Sequence, residues 1–517
     1  MLVRRMPSLP TSRSALLRSG MQALALLPFF AATHFHAAGL GGSDPWRHIQ
    51  WAYLSHASPP GALREFPVFT LLQSRGVDLW ELYHLLLWPF TFGDLERGAR
   101  IAATCFAVLS FWAIGFVFTR LRPERSTAAL FALAAFSPVL VARAVLARPA
   151  ILVVALTVLA AWALVERRPR LVLLFAFLHA ALHVSVPLQG LAVVAAIAAD
   201  LWTSRRVPWR LCGHWGLGCA LGIFLRPRPL DYLVVALAQG LLPFKAIAAG
   251  FPDLGIELYP PNAFLLLITL PAHLLLAWTL LGTVRAARGG KLERTEVLLS
   301  ILALESFVVC LRARRFLEIE AALVALYACS CWRPPFLPPA WVRFARPLGA
   351  MAIALGLAAS LLWTASAMGR PFASTSLTGA AAALRAHLPQ GALIFHDDWR
   401  SWPKLFFEDP THRYVVGADP TLMSALDPHR FWLWYHLGHH GLVCDAASAE
   451  PSACAQREPD GPALSEALRE FGAAAVLVSD ARARPRLAAA LDRAPDRFER
   501  IYRGVDGDRA VLVYAVR

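Results

Sequence analysis

Charge is what this sequence has least of. Asp, Glu, Lys and Arg together make up 16% of its 517 residues, while apolar types make up 57%. An ordinary soluble domain carries about 25% and roughly 45–50%. A conventional soluble protein is therefore excluded, and a mean hydropathy of +0.50 agrees. Cysteine is sparse too, eight residues without metal-like spacing. Six of them, Cys105, Cys212, Cys219, Cys310, Cys329 and Cys331, lie in or beside apolar runs and read as small packing residues. Only Cys444 and Cys454 fall in a polar stretch, where a disulfide is expected if that stretch is extracytoplasmic. There is no compact basic face. The net charge of +15 is spread in short runs between apolar segments, which makes nucleic acid an unexpected partner. Nor is there a convincing internal repeat of the kind many transporters show.

What the chain has instead is apolar runs of spanning length, about 20 residues each. Eleven are expected, near 16–37, 99–119, 126–146, 149–165, 170–187, 189–203, 211–226, 262–284, 296–311, 318–333 and 346–368. The leader carries Arg4, Arg5, Arg13 and Arg18, which places the N-terminus in the cytosol. A retained helix is preferred to a signal peptide, because the run is long and HFHAAG is a poor cleavage context. The basic loops TRLRPER, VERRPR, TSRRVPWR, VRAARGGKLER and RPPFLPPAWVRFAR fall at every second junction. All five are cytosolic if the first helix points outward, by the positive-inside bias.

The expected fold class is therefore a polytopic α-helical membrane protein of about eleven transmembrane helices with a C-terminal extracytoplasmic α/β domain. Residues 1–368 form the transmembrane domain, including a first outer loop at 38–98 and an outer segment at 227–261. Residues 369–517 form the second domain, on the outer (periplasmic) side of an inner membrane. In that tail, STSLTGAAAALRAHLPQG reads as a helix and GALIFHDDW as a strand ending in an acidic loop. ALSEALREFGAAAVLVSD reads as helix, turn and strand, PRLAAALDRAP as a helix, and FERIYRGVDGDRAVLVYAV as a hairpin. No glycine-rich phosphate loop follows the first of these strands, so nucleotide binding gains no support.

The outer side concentrates the chemistry. GGSDPWRHIQWA places Asp44, Arg47 and His48 just after the first span. Asp44 suits a helix N-cap followed by proline, or a general base acting on an acceptor. Trp46, Ile49 and Tyr53 share a helical face, with Arg47 and His48 expected to turn elsewhere. Further on, VDLWELYHLLLWPF holds Asp78 and Glu81, with Glu81 spaced to face His84. Both helices are expected at the membrane surface. LRARRFLEIE sets Arg312, Arg314, Arg315, Glu318 and Glu320 at the outer end of the ninth span, against the positive-inside bias. Arg143 with Arg148, and Arg226 with Arg228, flank other outer turns. Guanidinium pairs at that depth suit a lipid phosphate; the alternative is snorkelling with glutamate pairing. Lys245 and Glu257 lie in the outer segment, the first suited to phosphate and the second to a substrate. Charges inside spans are few: His179, His183, His273 and Glu305. In the tail, Asp397 and Asp398 beside Trp399 and Trp402 fit carbohydrate binding or, alternatively, a turn and an aromatic core plug. His436, His439 and His440 suit a metal or a surface helix end.

These residues carry a resemblance to the GT-C superfamily of membrane glycosyltransferases, which includes oligosaccharyltransferase catalytic subunits and bacterial enzymes that use polyprenyl-linked sugars. SDPWRHIQWA at 43–52 is similar to the stretch opening their first outer loop, and ARRFLE at 313–318 to their late arginine motif. HDDWRSWPKLFFEDPTHRYVVGADPTLM at 396–423 resembles a segment of bacterial members. The resemblance implies transfer of a sugar from a polyprenyl phosphate or pyrophosphate carrier to a glycan, lipid or protein acceptor. Asp44 then matches the catalytic acid, with His48, Asp78 and Glu257 as further catalytic candidates. Arg314 and Arg315 match the carrier-phosphate contacts, with Arg143, Arg148, Arg226 and Lys245 beside them. His84, Asp397, Asp398, Trp399 and Trp402 are the substrate candidates. RAVLARP lacks the acidic pair that helps the family hold a divalent metal, and the tail lacks a WWDYG-like motif. A peptide acceptor is thus in doubt; of cofactors none is certain, the lipid-linked sugar donor is expected, and a divalent metal is possible but doubtful. A lipid-linked glycan transporter and a non-catalytic envelope assembly protein stand as alternatives.

Overall fold

The computed structural model describes residues 12–36, 39–57, 66–248, 250–252, 254–333, 339–368, 375–454, 459–506 and 509–517. The chain divides into two compact units that interleave along the sequence. One comprises Met1–Ala38, Arg100–Arg226 and Glu257–Arg370; the other comprises Gly39–Ala99, Pro227–Ile256 and Pro371–Arg517.

The first unit is a helical bundle. Every expected apolar run falls on helix, but the runs are not uniform spans. Among the described residues of both units, six helices are long and apolar enough to cross a membrane, or seven if a bent pair counts as one. That pair is Pro123–Phe136 and Pro138–Ala144, bent by 84°, where a single span at 126–146 was expected. The cause is local: Pro138 removes an amide donor and pushes Ser137 out of the helical region, to φ −125°, ψ 65°. Ala150–Val165 and Pro169–Leu182 are shorter apolar helices.

Small residues set the closest packing. A Cβ on Gly218 would lie 2.3 Å from the Leu173 carbonyl oxygen, and one on Gly222 would lie 2.6 Å from that of Phe177. The two glycines, four apart, let Trp209–Phe224 press its backbone onto Pro169–Leu182, the GxxxG device of apolar bundles. A buried ion cluster ties other helix ends. Arg294 grips Asp200 bidentately at 2.7 and 2.9 Å, also bonds the Leu164 and Val165 carbonyls, and Arg167 joins on the same carboxylate. Part of the expected cytosolic basic charge therefore serves packing.

The second unit is built on a five-stranded sheet: β1 (Leu393–His396), β2 (Arg413–Tyr414), β3 (Ala475–Val478), β4 (Phe498–Asp506) and β5 (Arg509–Val516). The order is β2-β1-β3-β5-β4, with β1 parallel to β2 and β3, and β5 antiparallel to β3 and β4. β1 and β3 are buried throughout, as expected for strands covered on both faces. The expected tail helices appear as Thr375–His387, Gly461–Phe471 and Pro485–Asp492.

Residues 39–99 belong to this unit: Val68 and Phe69 donate backbone bonds of 2.8 and 3.2 Å to Tyr414 and Val415, extending the β2 edge. Pro229–Ala248 passes the test for a span by length and composition, yet it packs against Leu71–Arg75 and Pro420–Leu426. Cys444 and Cys454 are disulfide-bonded, as expected for an extracytoplasmic loop.

Candidate functional site

Charged clusters form in each unit, and each is built by identifiable local chemistry. In the bundle, the bend at Pro138 turns Arg143 toward the Glu257–Pro260 loop. Arg143 donates to Glu318 at 2.7 Å and to Glu257 at 2.5 Å, and Arg148 reaches the same Glu257 oxygen at 3.3 Å. The Arg314 amide donates to the Tyr259 carbonyl at 2.9 Å, and its guanidinium to the Pro260 carbonyl at 3.3 Å. Arg315 lies beside Phe316, and among the described residues it has no ion-pair partner. Burial works against the Glu257 charge, but the Arg143, Arg148 and Arg315 guanidiniums override it and hold the carboxyl well below the usual range. Arg143 and Arg148 thus share Glu257 and Glu318, with Arg314 held on backbone carbonyls and Arg315 acting on Glu257 by its charge, and the cluster keeps a positive surplus.

Arg226 does something else. It donates to the Ala180, Ala181 and Gly222 carbonyls, closing the end of Pro169–Leu182. His179 and His183 meet on one hydroxyl, that of Ser185, at 3.0 and 2.8 Å.

In the second unit, Asp44 begins the helix Asp44–Ala57, and Arg47 bonds it at 2.9 Å. The Arg47 guanidinium lies 4.2 Å from the Trp80 ring centroid, a cation–π contact. The sequence pattern turned Arg47 and His48 away from the packed face. Instead every residue from Pro45 to Ala52 is buried, because the helix is covered by Glu81–Leu87 on one side and Trp402–Glu408 on another.

His48 joins a relay. Its Nδ1 lies 2.8 Å from His84 Nε2, and His84 Nδ1 lies 2.6 Å from an Asp78 oxygen. A carboxylate only accepts, so His84 donates to Asp78 and His48 donates to His84. The expected Glu81–His84 pairing is replaced by Asp78, whose other oxygen accepts the Trp80 amide at 2.8 Å and so faces the helix start.

The remaining candidates divide by burial. Trp402 is 1% exposed, stacked on Phe406 and packed against Trp51, so its ring serves the core. Asp397 is fully buried at the end of β1, accepting the Ser479 amide at 2.8 Å with Arg484 3.7 Å from its other oxygen. Burial pushes its carboxyl up to about 7. Asp398 and Trp399 are partly exposed, and Lys245 is exposed. His436–His440 forms a π-helical turn rather than a surface helix end. His436 is buried against the Ala446 carbonyl, and His439 accepts from Arg484.

Two ion pairs, Arg47 with Asp44 and Glu318 with Arg143, were not foreseen in the sequence. Arg47 is betrayed only by its spacing from Asp44. Glu318 is betrayed by sitting next to the arginines yet pairing with Arg143, 175 residues away.

No protein-family profile matches the chain, and no curated protein matches it in sequence. Solved structures do. The oligosaccharyltransferase of Archaeoglobus fulgidus superposes with a TM-score of 0.57 at 13% identity, covering 98% of this chain and 74% of that one. The chain shares the fold of that enzyme. ArnT from Cupriavidus metallidurans, solved with undecaprenyl phosphate, matches at 0.53 and 15% identity over 96% of this chain and 97% of its own. Mycobacterial arabinofuranosyltransferase AftD matches at 0.52 and 17% identity over 98% of this chain and 40% of its own. The expected resemblance therefore holds at the level of fold.

Proposed function

We propose that this chain transfers a sugar from a polyprenyl phosphate or pyrophosphate carrier to an acceptor on the outer side of an inner membrane. The observation that carries the proposal is the surplus of guanidinium around Glu257 and Glu318 within a GT-C fold. Two of the similar structures point the same way: the Cupriavidus metallidurans enzyme is bound to undecaprenyl phosphate and an Archaeoglobus fulgidus oligosaccharyltransferase to a dolichol-phosphate.

In this reading Arg314 and Arg315 bind the carrier phosphate, and Arg143 and Arg148 hold the cluster's field. As the bond between the anomeric carbon and the phosphate oxygen breaks, its electron pair stays on the leaving phosphate. Fixed guanidiniums stabilise that charge more than they stabilise the ground state. Asp44 takes the proton from the acceptor hydroxyl or amine as the new bond to the anomeric carbon forms. Glu257 is a poor base, because three arginines hold it ionised; it orients them instead. Asp78 is engaged by His84 and positions His48. Asp398, Trp399 and Lys245 keep enough exposure to meet an acceptor or lipid, while Arg226, Asp397 and Trp402 serve structure.

The divalent metal known for this fold does not fit these residues. Asp44 is already neutralised by Arg47, and the outer turn after the third span offers arginines where acids would be needed. No step is routed through a metal here.

The topology goes with the reading: eleven spans, a cytosolic N-terminus, and residues 369–517 in the periplasm as a separate α/β domain. The disulfide and the alternating basic loops support it, and so does the packing of Pro229–Ala248 on helices of the sheet-containing unit. To test the function, purified protein in detergent is offered a panel of lipid-linked sugars, and wild type is compared with Asp44→Asn and Arg315→Ala. Transfer by wild type and its loss in both variants is expected. Equal rates in all three proteins sink the assignment, and lipid movement without transfer favours the transporter alternative.

A further inference from the structure

Outside the clusters described above, the bundle contains a triad that neither packing nor sugar transfer accounts for. Glu320, one turn into Leu317–Cys331, is fully buried, and neither carboxylate oxygen has a hydrogen-bond partner. A carboxylate buried without donors costs several kcal/mol. His273, near the start of Leu270–Arg288, places its Nε2 3.8 Å from a Glu320 oxygen, and that nitrogen also lacks a hydrogen-bond partner. Cys310, near the end of Arg294–Arg312, is fully buried and completes the group. The three ligand atoms lie within 4.8 Å of one another.

From this geometry we infer that His273, Cys310 and Glu320 form a binding site for a zinc-like divalent cation. Imidazole, thiolate and carboxylate are the donors such an ion takes. Around a tetrahedral zinc, ligand atoms stand roughly 3.3–3.6 Å apart, so closing the triad needs shifts of about 1 Å or less. On binding, the Cys310 thiol proton leaves to water, and thiolate and carboxylate together balance the divalent charge. The ligands come from three helices, with Cys310 and Glu320 on either side of the Arg314–Phe316 turn. The ion therefore pins the segment that carries Arg314 and Arg315. Among the described residues, the other cluster with suitable residue types, His436 with Cys444 and Cys454, offers no thiolate because its cysteines are disulfide-bonded. The inference is independent of the transferase reading.

The test uses full-length protein in detergent, stripped with a chelator and then titrated with cobalt(II). Wild type is expected to show a thiolate-to-cobalt charge-transfer band together with visible d–d absorption, saturating near one ion per chain. Cys310→Ser is expected to lose the charge-transfer band and keep the visible one. His273→Ala and Glu320→Gln are expected to lower zinc content after gel filtration at least tenfold. Absence of the band in wild type, or its persistence in Cys310→Ser, overturns the inference. Should Glu320→Gln fail to fold, Cys310→Ser alone decides the matter, because serine keeps the shape of the site.

Discussion

In the bundle, Glu257 feels three guanidiniums, those of Arg143, Arg148 and Arg315, whereas in the sheet-containing unit Asp44 faces Arg47 and Asp397 faces Arg484. Glu257 is contacted by Arg143 and Arg148. Asp44 has Arg47, Asp78 has the His84 imidazole, and Asp397 has a backbone amide with Arg484 3.7 Å away. The difference teaches a division of labour. A cluster with surplus positive charge is prepared for an anion that arrives from outside the chain. The acids of the other unit are each placed by a nearby partner: Arg47 for Asp44, His84 for Asp78 and Arg484 for Asp397.

The sharpest test of that contrast is kinetic. Asp44→Asn is expected to lower kcat by about 10³-fold with little change in KM for the carrier, the magnitude of a lost general base. Arg315→Ala is expected to lower kcat/KM about 10²-fold, with a raised carrier KM. Steady-state rates against carrier concentration check both, and identical profiles for the two variants would erase the distinction.

A second test reads the burial of Asp397 as stability. The Asp397 carboxyl is pushed from 3.8 to about 7. The folded chain therefore binds a proton that the unfolded chain releases between about pH 4 and pH 7. Stability falls as pH rises through that window and stays reduced above it, by on the order of 3–4 kcal/mol. Asp397→Asn should flatten this slope and melt higher than wild type at pH 8, as followed by thermal unfolding.

A third test removes the surplus. Arg143→Met leaves Glu318 buried without its partner and should destabilise the bundle by about 2–3 kcal/mol. Adding Glu318→Gln should recover much of the loss, and a null result in the single variant would show the pair to be solvent-like. The smallest effect is expected from Asp78→Asn. Replacing the acceptor of the His84 bond should cost about 1–2 kcal/mol and change the pH profile of activity through His48 more than the rate at its optimum.

Much of the architecture was legible because hydropathy and turn chemistry are local. The apolar runs are helical, and β1, β3 and the β4–β5 hairpin lie where β-rich runs were bounded by Gly and Pro. Cys444 and Cys454 pair as their polar setting implied. What was not legible depends on partners far apart in sequence. The two-residue strand β2 has too little pattern to show itself, and its place is set by pairing with Leu393 and Ile394. Helical spacing nominated Glu81 for His84, but the choice fell to Asp78, which precedes the helix and turns back onto it. Arg47 and His48 looked solvated because one helical face was already apolar, and nothing local announced Trp402–Glu408 as a second cover. The bend at Pro138 was written in the sequence and smoothed over by counting residues.

The interleaving of the sheet-containing unit bears on how the chain matures. Trp51 packs against Trp402, yet the ribosome makes the second roughly 350 residues after the first. At about 5–20 residues per second, the tryptophan-rich helix Asp44–Ala57 waits roughly 20–70 s for its cover, its aromatic faces uncovered meanwhile. A truncation that stops short of Trp402 should therefore leave an insoluble, protease-sensitive first loop, even when each preceding helix is correctly inserted.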